Sequence, residues 1–239
     1  MATSIEDRFK QFTEGLSQKY EPFVRQHLAK VYGVLGITTL FTALGVLLQM
    51  KSLIDLGVVS ALGSLGLVLG LHFYQDNGKN YNTRLAMLLG FGFCSGQSMG
   101  PLIGYVIQIN PAILFTAFVG TFIIFVSLSL AALLAERGKY LFLGGLLVSV
   151  LNTMAVLSLF NMFFRSYFVQ LGQLYIGVFV MAAFILFDTQ SIIEKCRRGN
   201  VDVVQHSLDL FFDVLSLFRR ILIILTQKEE RKNRRRKDN

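Results

Sequence analysis

Residues 206–225 read HSLDLFFDVLSLFRRILIIL. The stretch has the length of a membrane-crossing helix, about 20 residues, yet it holds Asp209, Asp213, Arg219 and Arg220. Each charge at the centre of an inserting helix costs about 2.5–3.5 kcal/mol, so this segment does not enter lipid alone. At about 100° per residue, Asp209, Asp213, Ser216 and Arg220 fall within an arc of about 60°. They form one polar stripe on a cylinder of Phe, Leu and Ile. Such a stripe needs other helices around it.

The rest of the chain supplies them. Six apolar runs precede the stripe, at 31–49, 53–73, 85–106, 112–134, 140–160 and 168–187. Over the 239 residues, 53% are hydrophobic and 16% charged, against roughly 25% charged in ordinary globular domains. That excludes a disordered protein, a coiled coil and a disulfide scaffold, and Cys94 and Cys196 sit in unlike surroundings. With 22 Phe, 21 Gly and 3 Pro, the composition suits helices packed in lipid better than a soluble enzyme. The expected fold is an all-α membrane protein: six transmembrane helices around a seventh, charged segment that is re-entrant or buried. Three regions follow: an amino-terminal segment (1–30), the bundle (31–227) and a basic tail (228–239).

Lys and Arg counts orient the bundle. The amino-terminal segment holds five, and the second, fourth and sixth connections hold seven; the first, third and fifth hold only Lys51 and Arg165. The amino terminus is therefore expected in the cytosol, with the first run an uncleaved anchor. Residues 228–239 add seven more basic groups. A full seventh crossing would place them on the opposite side, so a segment that enters and returns keeps the tail cytosolic; shielded polar backbone permits this. The alternative is a complete crossing.

Ionisable groups inside a membrane bundle face its interior and mark an ion or proton pathway by default. Asp188 closes the sixth run. A hairpin across 188–205 would bring it towards Asp213, where two carboxylates cannot easily both ionise and would share a proton. Ionised, the pair offers the hard oxygen ligands that calcium prefers. A plainer reading is equally open: Asp213 and Arg220 neutralise each other, and Asp188 caps a helix at the membrane boundary. His206, near the bundle mouth, is a candidate pH modulator; His27 and His72 carry no role. Gly90, Gly92, Gly96 and Gly100 suit close helix approach. The basic tail either binds anionic lipid headgroups or is a solvated topology signal.

The segments GPLIGYVIQINPAILFTAFVGT (100–121), YLFLGG (140–145), LYIGVFVMAAFILFDTQSIIEK (174–195) and DLFFDVLSLFRRIL (209–222) closely resemble the Bax inhibitor-1 group of the transmembrane Bax inhibitor motif family. The likeness runs from about Gln26 to Gln227. It implies an endoplasmic-reticulum protein that suppresses cell death, tempers unfolded-protein signalling and leaks calcium from the lumen. Bacterial relatives hold a pH-responsive aspartate dyad on their last two helices, and Asp188 in FDTQ and Asp213 in DLFFD match it. An arginine in their second helix latches that dyad. Here no Lys or Arg occurs between Lys51 and Lys79, and Arg220 is the candidate substitute. The ending Arg236-Lys237-Asp238-Asn239 is similar to dilysine retrieval signals, which act from the cytosol.

Three functions compete at this stage. The first is a pH-gated calcium leak through Asp188 and Asp213, with Asp209 and Arg220 along the path, in contact with membrane lipid. The second is an interaction protein that binds Bcl-2-type proteins and stress-sensor kinases, as the resemblance implies, through its cytosolic tail without transport. The third is an intramembrane aspartyl protease. Those enzymes share a Gly-x-Gly-Asp motif, whereas Asp213 follows Phe211-Phe212 and Asp188 follows Leu186-Phe187. The expectation is therefore no enzyme, no resident cofactor and no nucleic-acid partner, with calcium as the permeating or bound ion.

Overall fold

The computed structural model describes residues 19–51 and 57–238, all as helices and short connections. Seven helices occur among them: α1 (Pro22–Met50), α2 (Gly57–Phe73), α3 (Tyr81–Ile109), α4 (Ala112–Leu134), α5 (Leu143–Phe164), α6 (Tyr167–Arg197) and α7 (Val203–Asp238). Each apolar run becomes a helix, because in lipid every backbone group must bond within its own segment. Pro22 starts α1, where its missing N–H costs nothing. The protein is an all-α membrane protein. Four helices, α1, α4, α5 and α6, are long and apolar enough to cross a membrane outright, and α2 is apolar but shorter. α3 and α7 are not among these apolar helices.

Contacts between helix ends fix the directions. Glu21, just before α1, pairs with Arg197 at the end of α6. Lys19 donates to the carbonyls of Leu133 and Leu134 at the end of α4. Arg84 at the start of α3 pairs with Asp202 just before α7. These groups gather at one end, here termed the near end. At the far end, Tyr105 late in α3 donates to Glu230 and Arg231 donates to Tyr167 at the start of α6.

Two expectations are corrected by this arrangement. α7 is one uninterrupted helix of 36 residues, about 54 Å long at 1.5 Å per residue, and it runs from the near end to the far end. It neither enters and returns nor leaves its basic end beside the start of α1. Burying the stripe against protein removes the barrier that an isolated charged helix meets in lipid. Residues 1–18 and Asn239, the last residue of the retrieval-like ending, lie outside the described residues. Nor do six helices ring the seventh. α7 packs chiefly against α1, α4, α6 and, less, α3, while α2 packs against α3 and α5 against α6.

The tightest joint is α1 on α3. A Cβ on Gly96 would stand 2.0 Å from the Thr42 carbonyl oxygen, and one on Gly92 would stand 2.9 Å from that of Thr38. The two backbones touch, so the glycines serve packing, as small residues do between membrane helices.

Candidate functional site

The site is built by the α6–α7 hairpin. Gly199 turns the chain with φ +89°, a left-handed conformation open to glycine, and its N–H donates to the Cys196 carbonyl. Asp202 then caps α7, accepting from the Gln205 N–H at 3.0 Å, as short polar side chains do at helix starts. Its other oxygen meets Arg84 Nη1 at 2.7 Å. Cap and ion pair together set the register of α7 against α6. Asp188 lies nine residues before the end of α6 and Asp213 ten residues into α7, depths of about 14 and 15 Å below the turn. Equal depth is what brings them together.

The two carboxyl groups face each other at hydrogen-bonding reach. Asp213 is 5% exposed, and no N–H or hydroxyl faces its buried Oδ2. Its partner is a second carboxyl, which donates only when it carries a proton. Geometry therefore favours one proton shared between two acids. Beside them, Tyr32 Oη of α1 lies 3.5 Å from Thr189 Oγ1. One turn nearer the mouth, Asp209 accepts from Gln205 Nε2 at 2.9 Å and meets Lys195 Nζ at 3.6 Å.

The plainer reading of these acids is overturned. Asp188 caps nothing, because α6 continues to Arg197. Arg220 does not neutralise Asp213: no ion pair joins them, and Arg220 Nε is buried without a partner. Its guanidinium lies over Gly177 of α6, where a Cβ would stand 2.4 Å from Nε. Arg220 is thus no latch for the acid pair; it sits about 10 Å further along the helix. His206 is also apart from the acids. It is 1% exposed and its Nδ1 lies 2.8 Å from Nε2 of His27, ring edge to ring face.

Sequence reasoning missed His27, Lys195 and the Arg84–Asp202 pair. Lys195 had a signal, since it follows Asp188 by seven residues and so shares its face of α6. His27 had none, for its partner is 179 residues away. Glu194 and Glu21 hold further pairs at the near end. Arg137 makes two bonds to Glu194, at 2.8 and 2.9 Å, and that carboxylate holds the guanidinium of Arg137 above its ordinary pKa. Glu21, bonded by its own backbone N–H and by Arg197, is held below the usual glutamate range.

As a calcium site, the donor set is open. Among the described residues no three His, Cys, Asp or Glu side chains converge as metal ligands, whereas resident calcium takes six to eight oxygens. Two facing carboxyls can attract a passing cation and release it. They do not form a cage.

Fold and site thus define a class: an all-helical membrane protein with a pair of facing acids buried between its last two helices. Residues 24–230 match the family described as Inhibitor of apoptosis-promoting Bax1. The chain is 68% identical over 238 residues to Bax inhibitor 1 of Drosophila melanogaster, covering 100% of this chain and 97% of that one. It is 42% identical over 217 residues to Bax inhibitor 1 of Homo sapiens and to that of Sus scrofa, covering 90% of this chain and 92% of each relative. The chain belongs to the Bax inhibitor-1 family.

Proposed function

We propose that the protein suppresses cell death from the endoplasmic-reticulum membrane by acting as a pH-sensitive calcium leak, and through that leak tempers unfolded-protein signalling. The observation that carries this reading is the facing of Asp188 and Asp213 inside the bundle, with Asp213 Oδ2 unsupported by any neutral donor. Intramembrane acids left in that state line ion or proton pathways. When both are ionised, the pair draws calcium inward past Asp209. A shared proton removes charge from the path and lets the carboxyls bond, which joins α6 to α7. No chemistry is catalysed. The near end, rich in Lys and Arg, faces the cytosol by the positive-inside rule, and the basic end of α7 then faces the lumen. Bcl-2-type proteins and stress-sensor kinases are the proposed partners, met from the cytosolic face.

The test is calcium flux through the purified full-length protein in liposomes between pH 6 and 8, wild type against Asp213→Asn. The expected result is a pH-dependent flux in the wild type and a changed profile in the variant. An unchanged profile removes the acid pair from the mechanism, and no flux above empty liposomes removes the leak. A second reading, an interaction protein without transport, has the opposite topology for the basic end of α7: its exposed side chains, among them Lys228 and Arg231, lie in the cytosol and meet partners there. It requires that deleting residues 228–239 abolish protection of cells while Asp213→Asn leaves it intact.

A further inference from the structure

The near end holds several cations, and three of them are engaged with acids that have no part in the buried pair: Arg84 with Asp202, Arg137 and Arg197 with Glu194 and Glu21. Lys195 is different. Its Nζ lies 3.6 Å from Asp209 Oδ2, and both side chains are open, 43% and 26% exposed. Asp209 stands one helical turn outside Asp213, whose buried Oδ2 meets no donor. Three acids are therefore strung along the hairpin, Asp209 outermost, with one ammonium on the outermost.

We propose that Lys195 is a tethered counter-ion of this acid path: its ammonium occupies Asp209, and a divalent cation bound for Asp213 and Asp188 must displace it. The proposal rests on the calcium-path reading above. An ammonium and a calcium ion seek the same carboxylate oxygens. Calcium brings twice the charge and gathers several oxygens at once, while Lys195 offers a single charge on a flexible stem. Competition of that kind raises the calcium concentration needed to fill the path without blocking it. The other groups around Asp209 do not replace Lys195. Gln205 is neutral, Asp202 adds negative field but is held by Arg84, and His206 is turned to His27.

The experiment measures calcium-45 binding to the full chain in detergent and calcium flux in liposomes, for wild type, Lys195→Gln, Lys195→Arg, Asp209→Asn and the double variant Lys195→Gln/Asp209→Asn. Asp213→Asn serves as the control for the path itself, and thermal melts confirm folding. Lys195→Gln is expected to lower the half-saturating calcium concentration about two- to fivefold, the range an exposed ion pair supports. Lys195→Arg should stay at the wild-type value. Once Asp209 is neutralised, the charge at position 195 should no longer matter. Binding and flux unchanged in Lys195→Gln, with Asp213→Asn altered, overturn the proposal and leave the path standing. If Asp213→Asn is also without effect, the path falls, and the counter-ion falls with it.

Discussion

The near end of the bundle and its middle treat charge in opposite ways. At the near end three pairs of opposite charge join different elements: Arg84 with Asp202, Arg197 with Glu21, Arg137 with Glu194. In the middle, Asp188 and Asp213 are placed against each other, like against like. The first arrangement fixes helices in register. The second sits where lipid would normally forbid it, so the surrounding structure has to hold it there. Paired charge is architecture here, and the facing acids are the charges that architecture leaves unexplained.

The largest effect should come from breaking a near-end pair. Arg84 is 2% exposed, and Arg84→Met takes the cation from Asp202, which is 17% exposed and keeps its cap bond, a loss of about 1.5–3 kcal/mol for a hydrogen bond to a charged group. Denaturant unfolding in detergent should show it, while the folded fraction keeps a wild-type pH profile of flux. Gly177→Ala comes next. Its Cβ would stand 2.4 Å from Arg220 Nε, so the arginine must move or the helices part, at about 1–3 kcal/mol, read in the same unfolding curves. Asp213→Asn should cost under about 1 kcal/mol, since relieving two facing carboxyls offsets the lost bond, and yet change the pH profile of flux. If Asp213→Asn destabilises as much as Arg84→Met, the contrast between the two regions collapses.

The smallest effect is at Glu21. Its carboxyl is held below the ordinary value of 4.5 by its own backbone N–H and by Arg197. A lowered carboxylate stabilises the fold above its unfolded value, and that contribution is lost as pH falls through the folded one. Glu21→Gln should therefore match wild type most closely in acid, below pH 4.5, and differ slightly at neutral pH, as melts across that range will show.

The helices themselves were legible, because each apolar run is set by the thickness of the bilayer. The acid stripe was legible from its 4, 3, 4 spacing. Where α6 ends was not. The apolar run stops at Phe187 and the helix goes on to Arg197, since Glu194 and Arg197 find their partners on other elements. The unbroken length of α7 was hidden for the same reason: its charges are tolerable only once α1, α4 and α6 are in place. The polar stripe and the end of the sixth run pointed to Asp213 and Asp188 and the resemblance strengthened their pairing, but nothing local in the sequence joins His27 to His206 or seats Arg220 over Gly177.

The outlying helix α5 has its own consequence. It touches the bundle chiefly through α6, and Leu147 and Asn161 are its buried residues. Its 22 residues span about 33 Å, close to the hydrocarbon thickness of about 30 Å. Most of its surface answers to lipid tails, which distinguish Leu from Phe or Val very little. On its lipid-facing side α5 should therefore accept one apolar residue for another, though not at Gly144, where a Cβ would stand 2.6 Å from the Phe187 ring, and it should tilt when the bilayer is thin. Drift in its letters is cheap, and drift in its length is not.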